Sequence, residues 1–290
     1  MGVIKVKRSE VLGMEVRLEQ FNSGWDMINC SAKRPILPSF INEGDRRKPG
    51  TIESDHHFFG VRNFQEAEDL MLNGYQPVVE KMKENEKKFN ISGQGKRYRP
   101  TTEVYGFAPV VPLALMGVPE CMMNQKMTKI KAKVLNVYYD IGVTASYGAE
   151  KIAKAGNKLL GAIMELEMQG YRFNLYVAKS QCDGRGDSDG VDMTTFKIKD
   201  SNTPLDLKRM SFPLAHAAFF RVFCHDWYMR FPKAHYRWGL GRSITYDYNE
   251  KELADAFEEL FGEKCVVFGA SKLLDDSAEH IKKVLKGEME

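Results

Sequence analysis

One stretch constrains the fold of this chain more than any other: residues 131–180. An apolar strand, KIKAKVLNVYYD, ends on an acid, Asp140, and a Gly/Thr/Ser loop follows. The spacing then predicts an amphipathic helix over 147–169, with Ile152, Ala153, Leu159, Leu160, Ile163 and Leu166 on one face. Gly170 ends it, and YRFNLYVAK (171–179) reads as a second apolar strand. Strand, helix, strand is the opening of an α/β sheet, and the polar loop after Asp140 lies at the carboxyl end of the first strand, where such sheets seat ligands.

The rhythm continues downstream. VDMTTFKIKD (191–200) reads as a strand, and Ser211 to Phe231 as one deeply packed helix with apolar groups almost all round. Asn249, with Glu252 as capping-box partner and Gly262 as terminator, brackets a helix. KCVVFG is a short buried strand, and SAEHIKKVLKG a final helix. The expected fold class is therefore α/β: a mostly parallel sheet with helices on both faces over 129–290. Residues 1–128 are expected to form a smaller α+β portion. VIKVK and MEVRLEQF alternate as half-buried strands, Asn63 and Glu66 open a helix over 63–73, and 77–89 forms a charged one. Residues 104–123 are apolar but interrupted by three prolines, so short helices and extended pieces are expected there.

Composition excludes the extremes. In 290 residues, 43% hydrophobic and 28% charged content is that of a chain that buries a core, and a net charge of +3 does not demand nucleic acid. Five scattered cysteines with no Cys-x-x-Cys pair fit a reducing cytoplasm and disfavour a structural zinc site. No apolar run reaches membrane-spanning length, so no membrane partner is expected.

Asp140, Thr144 and Ser146 are oxygen donors at a strand end and helix start, a set that would take Mg2+ or Mn2+ if it takes any cofactor. A turn-bracing Asp140 and an N-capping Ser146 are the plainer alternative, and a phosphate seated on the helix N–H groups is a third. The loop 183–192 carries Asp183, Arg185, Asp187, Asp189 and Asp192 and is the expected binding surface. It is not an EF-hand, since Thr194 stands at the twelfth position. Lys87, Lys88, Lys96, Arg97 and Arg99, with Phe89 and Tyr98 interleaved, are the residues that would contact nucleic acid. Glu80, Glu84 and Glu86 among the neighbouring lysines favour a solvated helix face instead. No P-loop, GxGxxG, GxSxG or HExxH is present.

The run from Leu135 to Lys179 resembles the start of a von Willebrand factor A-like domain, whose Asp-x-Ser-x-Ser metal motif lies between the first strand and first helix. Asp140 matches that motif's Asp, while Gly142 replaces its first Ser and Thr144 its second. The resemblance implies more distant ligands, for which Thr194, Thr195 and Asp200 are the candidates. FQEAEDLMLNGY, APVVPLALMGVPECMM, the Asp140 strand and SFPLAHAAFFRVF, in that order, resemble a family of bacteriophage proteins of unknown function over roughly residues 55–270. This implies a viral protein working in the host cytoplasm or with the virion, and it brings no catalytic residues.

The reading favoured is a non-enzymatic, phage-encoded adaptor that binds a phage or host protein through the top of the sheet. The alternative is a metal-dependent enzyme or nucleic-acid-processing factor, with Asp140, Asp200 and the 183–192 carboxylates as ligands and Lys81 to Arg99 as a phosphate-binding arm.

Overall fold

A computed structural model describes residues 5–31, 56–88, 97–128, 134–144, 146–182, 190–224 and 243–287. Strands β1 (Lys5–Ser9) and β2 (Met14–Phe21) lead into helices α1 (Gly24–Ser31), α2 (His56–Phe59), α3 (Phe64–Asn73) and α4 (Gln76–Lys88). Then come β3 (Arg97–Glu103), β4 (Ala108–Pro109), α5 (Val111–Leu115) and β5 (Met122–Thr128). The expected strand–helix–strand unit follows as β6 (Val134–Asp140), α6 (Ala149–Met168) and β7 (Arg172–Gln181). β8 (Gly190–Lys199), α7 (Leu207–Ala215), a π-helical turn Phe219–Cys224 and a 3-10 turn Ile244–Tyr246 come next. The described chain ends with α8 (Glu250–Phe261), β9 (Cys265–Gly269), α9 (Ala270–Asp275) and α10 (Ala278–Gly287).

The main sheet has six strands in the order β1-β2-β8-β7-β6-β9. Three neighbouring pairs are parallel (β2/β8, β7/β6 and β6/β9), and two are antiparallel (β1/β2 and β8/β7). The sheet is thus mixed and mostly parallel, as expected. The β7/β8 reversal has a simple cause: residues 182–189 are too short for the crossover of a dozen or more residues that parallel neighbours need.

The pleat divides the core. Leu135, Val137 and Tyr139 of β6 and Phe173, Leu175 and Val177 of β7 face a layer holding α3, α6, α7, α9, α10 and the π-helical turn. Tyr138 of β6, Ala178 of β7 and Val16 and Leu18 of β2 face α8, which contributes Leu253, Ala256, Phe257 and Leu260. Burial on both faces explains why β9 reads as an unbroken apolar run and β6 as one interrupted only by Asn136 before its terminal Asp140.

The division expected at 128/129 does not separate two packed units. β2 pairs with β8 from Glu15↔Gly190 to Phe21↔Phe196, so the first strands complete the main sheet. What stands apart is a small antiparallel sheet, β3-β5-β4, inside residues 97–128. Among the described residues, its strands pack on one another and make no extensive contact with the main sheet or its helices.

The helix expected over 211–231 is also interrupted. α7 carries Pro213, which withholds a backbone donor, and the chain turns extended at His216 (φ −122°, ψ 131°) before the π-helical turn begins. Residues 225–231 lie outside the described residues.

Helix α6 touches α7 at Gly156, where a Cβ would stand 2.0 Å from the Leu214 carbonyl oxygen. No side chain fits there without moving backbone. Gly156→Ala should therefore lower stability by about 2 kcal/mol despite its better helix propensity. Urea unfolding checks this, and an unchanged midpoint would show that the helices separate freely.

Candidate functional site

Asp140 sits where the strand order reverses, at the carboxyl end of β6 beside Ala178 of β7 and Gly269 of β9. It has no solvent exposure, and neither do Lys179, Ser180, Ser243 and Thr245 around it. One carboxylate oxygen, Oδ1, accepts the Gly142 N–H at 2.8 Å. The other, Oδ2, accepts the Ser180 N–H at 3.2 Å, the Ser243 hydroxyl at 2.9 Å and the Ser180 hydroxyl. The network continues outward. Ile244 donates its N–H to Ser180 Oγ at 3.1 Å, Thr245 donates its N–H to Ser243 Oγ at 3.0 Å, and Ser243 Oγ lies 2.7 Å from Thr245 Oγ1. The carboxylate thus ties the 3-10 turn to the ends of β6 and β7.

Lys179 donates to the Ser180 carbonyl at 2.8 Å and lies over the Phe220 ring at 5.2 Å. Burial raises the Asp140 pKa above the usual carboxylate range, opposed by Lys179 and the hydroxyl and N–H donors. Burial likewise lowers Lys179 to about 8, opposed chiefly by Asp140. Each charge offsets the other's loss of water. The nearby Cys224 thiol is pushed up to about 12 by burial and stays protonated at neutral pH.

This arrangement does not fit the expected metal centre. Four protein donors already occupy the Asp140 oxygens. At Gly142 a Cβ would stand 2.9 Å from both Asp140 Oδ1 and Ser243 Cβ, so the Ser of the Asp-x-Ser-x-Ser motif has no space at this position. Thr144 and Ser146 are exposed, with hydroxyls 2.8 Å apart and bonded to each other rather than turned to Asp140. Asp200 is elsewhere. Ala178, beside Asp140, pairs with Thr195, and β8 runs away from there, so Asp200 lies about 16 Å off along the strands. It pairs with Lys197 at 2.6 Å. Thr194 and Thr195 are buried within β8.

The expected binding surface is corrected at one position. Asp192 is a fully buried strand residue whose carboxylate meets Arg17 Nε at 2.8 Å. Asp183, Arg185, Asp187 and Asp189 lie outside the described residues, as does Lys96. Lys87 and Lys88 end α4, while Arg97 and Arg99 occupy alternate positions of β3, opposite Thr128 and Lys126.

The surface that sequence reasoning missed is on the small sheet. Val104 (66% exposed), Tyr105 (70%), Phe107 (66%), Leu115 (84%) and Met116 (74%) all face solvent. No charged residue occurs from 104 to 119. The hairpin holding them is well made. Phe107 N–H donates to the Met123 carbonyl at 2.9 Å, Val110 N–H to Cys121 at 2.7 Å, and the Asn124 amide to Tyr105 at 3.3 Å. The signal was present in APVVPLALMGVP, but an apolar run with prolines reads equally as core until its exposure is known.

Among the described residues, no helix is long and apolar enough to cross a membrane. Comparison with curated proteins and with solved structures finds no match. A family model described as a domain of unknown function, DUF7192, matches residues 5–285, nearly the whole chain, so this chain belongs to the DUF7192 family.

Proposed function

We propose that this chain is a non-enzymatic, phage-encoded binding protein that engages a protein partner through the apolar face of its small sheet. The main sheet serves as a von Willebrand A-like scaffold. The observation that carries this reading is the exposed set Tyr105, Phe107, Leu115 and Met116, held on a hydrogen-bonded hairpin within a run, 104–119, that has no charged residue. Single exposed apolar residues are ordinary, but a contiguous group marks an interaction site. Aromatic residues and Met are also the types enriched at the centres of protein interfaces. The partner chemistry that fits is an apolar pocket on another protein.

The closed Asp140 network supports the non-enzymatic half of the reading. Its acid and lysine are sealed from solvent and committed to bonds within the chain. The strand–Asp140–loop–helix order, with helices on both sheet faces, supports the A-like scaffold, and the resemblance to phage proteins supports a site of action in the host cytoplasm.

A double variant, Phe107→Ser with Leu115→Ser, tests the reading. Both side chains are more than half exposed, so stability should stay within about 0.5 kcal/mol of wild type. Affinity capture from infected cells should recover a defined partner with the wild-type chain and lose it with the variant. A partner retained by the variant would place the interface elsewhere. Salt-sensitive retention of nucleic acid by both chains would favour the nucleic-acid alternative.

A further inference from the structure

Glu250, Asp276 and His280 converge from three positions on the surface. Glu250 is the first residue of α8, Asp276 follows α9, and His280 lies in the first turn of α10. One ligand atom from each lies within 4.8 Å of the other two, and His280 Nε2 stands 3.9 Å from Asp276 Oδ1. We propose that these three side chains form a binding site for a divalent first-row transition ion, Zn2+ above all. The site is independent of the docking surface on the small sheet.

The donor set selects the ion. Mg2+ and Ca2+ take oxygen ligands, whereas an imidazole nitrogen with two carboxylates suits Zn2+ and its neighbours. A second observation points the same way: Asp276 Oδ2 is shut off from water and has no hydrogen-bond partner. A carboxylate oxygen in that state costs stability unless a donor or cation satisfies it.

The positions are held by the fold. The Lys158 ammonium donates to the carbonyls of Leu273, Leu274 and Asp276, at 3.0, 2.6 and 2.7 Å, and so pins the turn between α9 and α10. Asn249 and Glu252 form the capping box that fixes the start of α8. His280 takes its place through its backbone N–H, which donates to Ser277 Oγ at 3.0 Å. Tetrahedral zinc with bonds of about 2.0–2.1 Å needs ligand atoms about 3.3 Å apart. Rotation of the exposed Glu250 and His280 side chains supplies the remaining approach, and their exposure leaves a coordination position for water. Bound there, the ion would join the start of α8 to the turn before α10.

The test uses the full chain, stripped with EDTA and titrated calorimetrically with Zn2+ and separately with Mg2+. The site predicts one equivalent of Zn2+ bound with a Kd in the micromolar range, a raised Tm, and no matching response to Mg2+. Co2+ in its place should give the visible absorption of a low-symmetry, four-coordinate ion. His280→Ala should weaken Zn2+ at least about tenfold, and so should Glu250→Gln; both side chains are exposed and should leave the apo Tm unchanged. Zn2+ affinity unaltered in both variants would overturn the site, by placing the ion on thiols or other histidines. Failure to bind Zn2+ below about 1 mM, or Mg2+ binding as tight as Zn2+, would overturn it equally.

Discussion

Replacing Asp140 by Ala should cost about 4 kcal/mol of folding stability, among the largest effects available to a single substitution in this chain. The change leaves Lys179 buried without its countercharge. It also removes the acceptor for the Gly142 and Ser180 N–H groups and for the Ser180 and Ser243 hydroxyls. Unsatisfied buried donors lose their water without recovering a bond. In a chain of this length the expected fall in Tm is about 8 °C.

A double-mutant cycle isolates the cause. Lys179→Met alone leaves a buried carboxylate, and Asp140→Asn alone a buried ammonium. The combined variant leaves neither, so it should be more stable than the sum of the single losses predicts, by about 1–3 kcal/mol. Strict additivity would mean that the two charges do not sense each other. EDTA should not change the cost of Asp140→Ala, because the network is built from protein donors; an Asp140-dependent response to Mg2+ would restore the metal reading.

Acid should destabilise the protein through His216. Its Nδ1 accepts the Ala218 N–H at 3.1 Å, which anchors the chain where it leaves α7 for the π-helical turn. Tyr75 packs edge-on at 4.7 Å, and Phe212 lies at 5.3 Å with its ring tilted 33°. Burial in this setting lowers the pKa from 6.5 to about 4, with the Glu66 charge opposing the shift.

The sign follows from linkage. Between pH 6.5 and 4 the unfolded chain binds a proton at this position and the folded chain does not. The stabilisation is therefore complete above pH 6.5 and is lost as pH falls toward 4. The full window corresponds to at most about 3 kcal/mol. His216→Asn keeps a short acceptor and removes the titration, so the stability difference between wild type and variant should shrink or reverse below pH 6.5. An identical pH dependence in both chains would remove His216 as the source.

Local signals in the chain were reliable where the physics was local. Asn249 accepts the Glu252 N–H and Glu252 returns to the Asn249 N–H, while Gly262 closes the helix in the left-handed region, as the spacing indicated. At Asn63 the cap also forms, but Glu66 reaches back to the Arg62 N–H instead of closing the box. The β6–α6–β7 unit follows from its periods, with Ile152, Leu159, Leu160, Ile163 and Leu166 all buried.

Signals that depended on distant partners were not legible. The acceptors on Asp140 find Ser180 and Ser243, 40 and 103 residues away, and no spacing rule connects them. The neighbouring Thr144 and Ser146 looked like better partners because they were close in sequence, yet they bond each other in solvent. Asp192 reads as part of a polar loop, but pairing with β2 draws it inside against Arg17.

Sequence alone therefore determined the β6–α6–β7 unit, the capping box of α8 and the α/β class, because period, capping and turn chemistry act over a few residues. Tertiary structure alone decided three further things: that β1 and β2 complete the main sheet, that Asp140 is closed, and that the apolar run 104–119 faces solvent. Each of these depends on which distant surface covers a residue. Burial on that scale is a property of packing, and the same apolar or charged side chain satisfies its local pattern whether it ends up inside or out.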